Sequence, residues 1–168
     1  NPYPQRSMLN SGVLWSNGGN FDIDTSLRVD GLGAVMGTAG NVFLVSGPML
    51  GDTRNADLFA NQAEVGLDGT GTPAAPQLLE AMGHDSGTDP AAFSKNFVYN
   101  TVALSNGTYV KLVDVSDNAA GPGAEALYTN SLIVPAGTTL DLNGLNLYTR
   151  TAQVGGAILG GAITQIPD

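Results

Sequence analysis

Residues 129–150, TNSLIVPAGTTLDLNGLNLYTR, decide the fold class of this chain. Apolar and polar residues alternate on both sides of Asn143-Gly144, so that every second side chain can face a core. Pro135-Ala136-Gly137 interrupts the alternation, because proline lacks the N–H that a β-ladder needs. Asn143-Gly144 is a tight-turn signal, since both residues tolerate positive φ. The stretch therefore predicts half-buried antiparallel strands that are joined by turns.

Short alternating segments with turn residues between them recur along most of the chain. The clearest further example is a hairpin predicted over residues 96–104 and 108–115, with Asn106-Gly107 as its turn. A helix is predicted over residues 76–82, where apolar residues share one face, and a second short helix over residues 89–93. The pattern predicts an all-β fold, an antiparallel β-sandwich of the jelly-roll type with one or two short helices and an extended terminal arm.

A weak internal repeat favours a different all-β fold. Residues 26–32, SLRVDGL, resemble residues 139–145, TLDLNGL, in the order hydroxyl, Leu, polar, aliphatic, Asp or Asn, Gly and Leu. Stacked coils of a solenoid repeat a short motif in this way, although a solenoid needs about three or more repeats to bury a core. A β-helix or solenoid is therefore the alternative fold.

The composition excludes several classes of function. Only 12% of the 168 residues are charged, and the net charge is −9. Nucleic acid is not an expected partner, because phosphate binding needs clustered Lys and Arg. No segment approaches the roughly 20 apolar residues that span a bilayer, so membrane insertion is not expected either. The chain has no cysteine, which excludes disulfides and thiol chemistry. The sparse charge is typical of an exported protein, so we expect an extracellular or cell-surface location.

The two ends of the chain differ from its middle. Residues 1–19 are predicted to form an extended N-terminal arm and residues 20–168 the β-sandwich domain, because Pro2 and Pro4 cannot donate ladder hydrogen bonds. The arm could form the first strand of the domain's own sheet, or it could complete the sheet of a neighbouring copy. Its candidate anchors are Leu9, Val13 and Trp15. The uncharged C-terminal tail offers a second set, which is Val154, Ile158, Leu159, Ile163 and Ile166.

No residue pattern indicates catalysis. His84 is the only histidine, and its neighbours Asp85 and Ser86 do not form a triad merely by adjacency. No Gly-x-Ser-x-Gly motif is present. We therefore expect a non-enzymatic protein without a cofactor.

Three further kinds of site could be present. Asp22 with Asp24, and Asp114 with Asp117, are weak candidates for a structural Ca²⁺ site, because Ca²⁺ prefers oxygen ligands. Asn106 begins the chain's Asn-Gly-Thr sequon and is a weak candidate for glycosylation, although a turn explains Asn-Gly equally well. The aromatic residues are scattered, and no row of them indicates a carbohydrate platform.

The second half of the chain carries a family resemblance. The segments QLLEAMGHD (77–85), NFVYNTVALSNGTYVKLVD (96–114) and EALYTNSLIVPAGTTLDLNGLNLYTR (125–150) resemble a module of secreted surface proteins of environmental, planctomycete-type bacteria. The resemblance covers a little over half of the chain and leaves out residues 1–75. It implies an extracellular structural or adhesive role and no reaction.

The whole chain also resembles subunits of extracellular fibres that polymerise by strand donation. We therefore predict a non-enzymatic extracellular structural protein that assembles with other copies of itself into a filament by β-strand donation, with the N-terminal arm as the favoured donor. The alternative is a carbohydrate-binding or adhesive module of a larger cell-surface protein, with glycans as its partners.

Overall fold

A computed structural model describes residues 7–56, 62–94 and 96–168. Within these residues the chain forms seventeen β-strands and one turn of 3₁₀ helix at Pro90–Phe93. The strands are β1 Ser7–Asn10, β2 Val13–Ser16, β3 Phe21–Ile23, β4 Ser26–Gly31, β5 Ala34–Gly37, β6 Val42–Val45, β7 Met49–Thr53, β8 Glu64–Leu67, β9 Gln77–Glu80, β10 Gly83–His84, β11 Val98–Leu104, β12 Tyr109–Val113, β13 Glu125–Val134, β14 Thr139–Asp141, β15 Leu147–Val154, β16 Ala157–Leu159 and β17 Ile163–Gln165.

The strands form parallel sheets, so the chain is a parallel β-helix. The first sheet has the order β1-β4-β7-β9-β12-β14-β16, and the second has the order β3-β6-β8-β11-β13-β15-β17. A third sheet contains β2 and β5, and only β10 adds an antiparallel pair, with β13. Each of seven coils therefore contributes one strand to each of the two long sheets. The predicted antiparallel jelly-roll sandwich is wrong, and the parallel pairing is that of the alternative, a β-helix.

The two similar heptapeptides lie in the same sheet but two residues apart in register, because the ladder aligns Leu27 with Met49, Leu79 and Leu112, whereas Leu140 pairs with Val110. Leu27 of β4 and Leu140 of β14 both point inward and are fully buried. Gly31 and Gly144 then leave these strands with φ of 62° and 81°. The number of residues per coil varies between the two heptapeptides, and this variation obscures the repeat in the sequence. Residues paired between neighbouring strands are 22 positions apart for Leu27 and Met49, 33 for Leu79 and Leu112, and 18 for Leu140 and Ile158.

The Asn-Gly pairs at residues 106–107 and 143–144 turn the chain as predicted but do not make hairpins. Asn106 and Gly107 have φ of 52° and 67°, and Asn143 has φ of 52°. The first pair joins β11 in the second sheet to β12 in the first sheet, and Asn143-Gly144 joins β14 to β15 in the opposite sense. The predicted hairpin is wrong, because each turn forms a corner of a coil and its strands pair with other coils.

Neither of the two predicted helices forms an α-helix in the described residues. Residues 76–82 contain strand β9, which lies between β7 and β12. Its place in a parallel ladder overrides the helical spacing of the apolar residues. Residues 89–93 contain only the 3₁₀ turn Pro90–Phe93, where Asp89 accepts a hydrogen bond from the Ala91 N–H.

The core lies inside the coils and is made mostly of Leu, Val and Ile. Each strand directs alternate side chains inward, so the coils stack one aliphatic layer on the next. Asparagine amides tie neighbouring coils together at the corners, because Nδ2 can donate to a main-chain carbonyl of the coil beside it. Examples are Asn41 to Ser16 O at 3.2 Å, Asn106 to Asp68 O at 2.9 Å and Asn143 to Leu112 O at 3.2 Å.

Candidate functional site

The first coil forms an open end of the helix. Strands β1, β2 and β3 each pair with a partner on one side only within the described residues, with β4, β5 and β6 respectively. No described strand pairs with their other edges, so the main-chain N–H and C=O groups there can pair with a further strand. Three large apolar side chains also face solvent here. Leu9 is 60% exposed, and Val13 and Trp15 are each 57% exposed.

The predicted arm is part of this coil as far as it is described. Residues 7–16 contain β1 and β2, which pair in parallel with β4 and β5 of the same chain. Leu14 and Ser16 point inward and are buried, and Asn10 Nδ2 donates to Ala34 O at 2.8 Å. Residues 1–6 of the predicted arm lie outside the described residues. Leu9, Val13 and Trp15 therefore belong to the chain's own sheets, with their side chains turned outward.

The C-terminal candidates do not share one surface. Val154 and Leu159 are each 45% exposed, whereas Ile158 and Ile163 pack partly against the core. Ile166 is 7% exposed and packs in a separate apolar cluster with Tyr128 and Tyr148. Strands β16 and β17 pair with β14 and β15 on one side, and the described residues place no strand on their other side.

Charge is sparse at both ends of the described chain. Residues 7–21 and residues 151–167 contain no Asp, Glu, Lys or Arg, although the chain has 15 acids and 6 bases. In a protein of net charge −9, two copies repel each other over most of their surfaces. A contact between these two segments therefore brings no like charges together, although Asp22 of β3 adds one exposed acid to the first coil.

The calcium candidates do not form a metal site. Asp22 and Asp24 are exposed, Asp114 accepts a hydrogen bond from the Glu125 N–H, and Asp117 pairs with Arg54 at 3.2 Å. Across the described ranges, no three His, Cys, Asp or Glu side chains are grouped so that they could hold a metal ion. A structural Ca²⁺ therefore receives no support from the geometry.

Two buried glutamates organise the loop that contains Asp114 and Asp117, and the sequence analysis missed them. Glu80 Oε1 accepts from the N–H groups of Val115, at 2.5 Å, and Ser116, at 3.0 Å. Glu125 Oε1 accepts from the N–H groups of Asn118, at 2.6 Å, and Ala119. The two carboxyls thus hold four N–H groups of one loop, and both residues are at least 95% buried, with exposures of 1% and 5%.

Burial governs the acidity of these glutamates. It raises the pKa of Glu125 to about 7, against the lowering effect of the Ala119 and Asn118 N–H groups, and the charges of Asp114 and Asp117 add to the rise. Burial likewise raises the pKa of Glu80, where the Ser116 and Val115 N–H groups oppose it. The arrangement stabilises the loop, and it leaves Glu125 with a carboxyl that titrates near neutral pH.

The remaining candidates have structural roles in the described residues. His84 is exposed, while Asp85 accepts from Asn146 Nδ2 at 2.7 Å and from Tyr148 Oη at 3.0 Å. Burial alone would raise the pKa of Asp85, but these hydrogen bonds and one from the Gly87 N–H lower it overall. Asp85 is therefore a structural acceptor.

The sequon and the aromatic residues are also built into the fold. Asn106 uses its amide to bond the neighbouring coil, and Thr108 is fully buried and donates to Gln77 Oε1 at 3.1 Å. Tyr128 and Tyr148 stack with ring centroids 4.9 Å apart, but both rings are buried. They cannot present a flat surface to a sugar ring.

Comparisons with known proteins supply no family for this chain. No family model, curated protein or solved structure matches it. In the part of the chain that is described, no helix has the length and apolar character that a bilayer crossing requires.

Proposed function

We propose that this chain is a non-enzymatic extracellular structural protein whose copies join end to end into a filament through the open edges of their β-sheets. The observation that carries the proposal is the first coil, which combines three strand edges that have no partner within the described residues with three exposed apolar side chains. This mechanism replaces arm donation, because residues 7–16 already pair within their own chain.

Parallel sheets permit this kind of growth. All seven ordered strands of the first sheet run in one direction, from β1 at one edge to β16 at the other. A copy placed on the same axis can therefore set its β16 beside β1 of the next copy, and its β17 beside β3. The contact joins two different surfaces, so it does not close on itself and generates an open filament.

The exposed apolar side chains would contribute to this contact. Leu9, Val13 and Trp15 face outward at the edge, where a neighbouring coil would place its own outward side chains beside them. Burying a large apolar side chain completely contributes about 1.5–3 kcal/mol. Two or three such side chains, together with main-chain hydrogen bonds, could offset the loss of freedom on association.

The experiment compares wild-type chain with Val13→Lys/Trp15→Lys by sedimentation velocity and negative-stain electron microscopy. We expect filaments of wild type and monomers of the variant, because lysine at a strand edge opposes pairing. Val115→Lys is the matched control, since Val115 is 71% exposed but lies in the middle of the chain. Filaments that persist in the double variant, or that Val115→Lys abolishes equally, would contradict the proposal. Circular dichroism establishes that each variant is folded.

A further inference from the structure

We propose that a cleft on the outer face of the first sheet binds a linear acidic saccharide, with Lys111 as the group that recognises its carboxylate. The cleft has a volume of about 670 Å³. Its floor includes Leu78 of β9 and Lys111 and Val113 of β12, and residues 46–48 and the loop at residues 70–76 form its walls. This site is independent of the filament contact.

The shape of the cleft indicates an elongated ligand. Its lining comes from the start of β7, from β9 and β12, and from Asn143 just after β14. These are four neighbouring positions in the first sheet, which span about 14 Å at the usual distance between strands. The cleft therefore runs across the strands, along the stacking direction of the coils.

Lys111 is the one charged residue in the lining of the cleft. Asp141 lies opposite Lys111 in the ladder, but it does not line the cleft, and its two oxygens accept from Tyr109 Oη and from the Asn143 N–H, each at 2.9 Å. Within the described residues, Lys111 forms no ion pair. An ammonium group that lines a cleft without a protein counter-ion can bind an anionic ligand.

The rest of the lining distinguishes a saccharide from other anionic polymers. Strand β9 is paired on both sides, by β7 and β12, so the floor offers no open edge to an extended peptide. One lysine does not make the cluster of cations that a nucleic acid needs. Thr70 and Asn143 add hydroxyl and amide groups that suit a polyhydroxylated chain, and Leu78 and Val113 provide an apolar floor.

The test measures binding of a galacturonate trimer by isothermal titration calorimetry, with maltotriose as the neutral probe. We expect the acidic trimer to bind more tightly than maltotriose and its affinity to fall as salt is added. Lys111→Gln should lower the affinity about tenfold or more, because a hydrogen bond to a charged group is lost. Lys111→Arg should retain binding, since it keeps the positive charge.

Arg54→Gln is the matched control, because Arg54 is exposed and does not line the cleft. Its affinity for the trimer should equal that of wild type. The proposal is overturned if wild type does not bind the trimer at millimolar concentration, if maltotriose binds equally well, or if folded Lys111→Gln binds like wild type. Circular dichroism and the unfolding midpoint establish that the variants are folded.

Discussion

Glu125 makes the stability of the fold depend on pH near neutrality. Burial raises the pKa of its carboxyl to about 7 in the folded protein, against the ordinary value of 4.5 that applies when the chain is unfolded. The folded state therefore binds a proton more tightly than the unfolded state does. The resulting stabilisation is fully present below about pH 4.5 and is lost as the pH rises through about 7.

The size of the effect follows from the difference between the two pKa values. One unit corresponds to 1.36 kcal/mol, so a change from 4.5 to about 7 amounts to about 3 kcal/mol. That is a large fraction of the 5–15 kcal/mol by which an ordinary domain is stable. Glu125→Gln should remove this dependence, because the amide is neutral at every pH and its oxygen can still accept from the Asn118 and Ala119 N–H groups.

The assay is reversible urea unfolding at several values between about pH 4.5 and pH 8. The variant should match wild type at the acid end and exceed it by up to about 3 kcal/mol at the alkaline end. Glu64→Gln is the control, since Glu64 is only half-buried on β8, and its difference from wild type should not vary in the same way. A Glu125→Gln difference that stays constant over the whole range, or a variant that is less stable than wild type at about pH 8, would refute the reasoning.

Two further predictions concern residues that hold coils and termini in place. Arg150 donates to Ile166 O at 3.2 Å and to Pro167 O at 2.9 Å, and its guanidinium lies 4.1 Å from the centre of the Phe93 ring. Arg150→Lys should therefore lower the free energy of unfolding by about 1–3 kcal/mol. Arg54→Lys, at an exposed site, should lower the free energy of unfolding by about 0.5 kcal/mol or less in urea unfolding. Equal effects of the two substitutions would contradict a role for Arg150 in holding the C-terminal residues. Asn143→Ala should lower the thermal midpoint of unfolding more than Asn143→Gly does. Both variants lose the hydrogen bond to Leu112 O, but only alanine is strained at a φ of 52°. An alanine variant as stable as the glycine variant would argue against a positive φ at this position.

Local sequence was sufficient to predict most strands and turns, although it indicated a helix where strand β9 lies, and it did not determine how the strands pair. The alternation of Leu140 and Leu142 places both side chains in the core, and both are fully buried. The same alternation fits an antiparallel hairpin and a strand of a parallel coil, because each has a period of two residues. Asn143-Gly144 likewise serves a hairpin or a corner, since either requires positive φ.

The functional features depend even more on long-range contacts. In the sequence, Leu9, Val13 and Trp15 read as anchors of a free arm, and only their pairing with β4 and β5 places them on the outer surface of the first coil. Glu80 and Glu125 are 45 positions apart and form no motif, yet the fold brings both to one loop.

Composition and alternation by themselves determined that this chain is β-rich, sparsely charged and divided by turns at its Asn-Gly pairs. Only the tertiary structure decided that the strands are parallel, that the first coil has open edges and that Lys111 lines a cleft. The physical reason is that side-chain periodicity specifies which face of a strand is buried, whereas the partner of that strand is chosen by main-chain hydrogen bonds to coils 16 to 37 residues away.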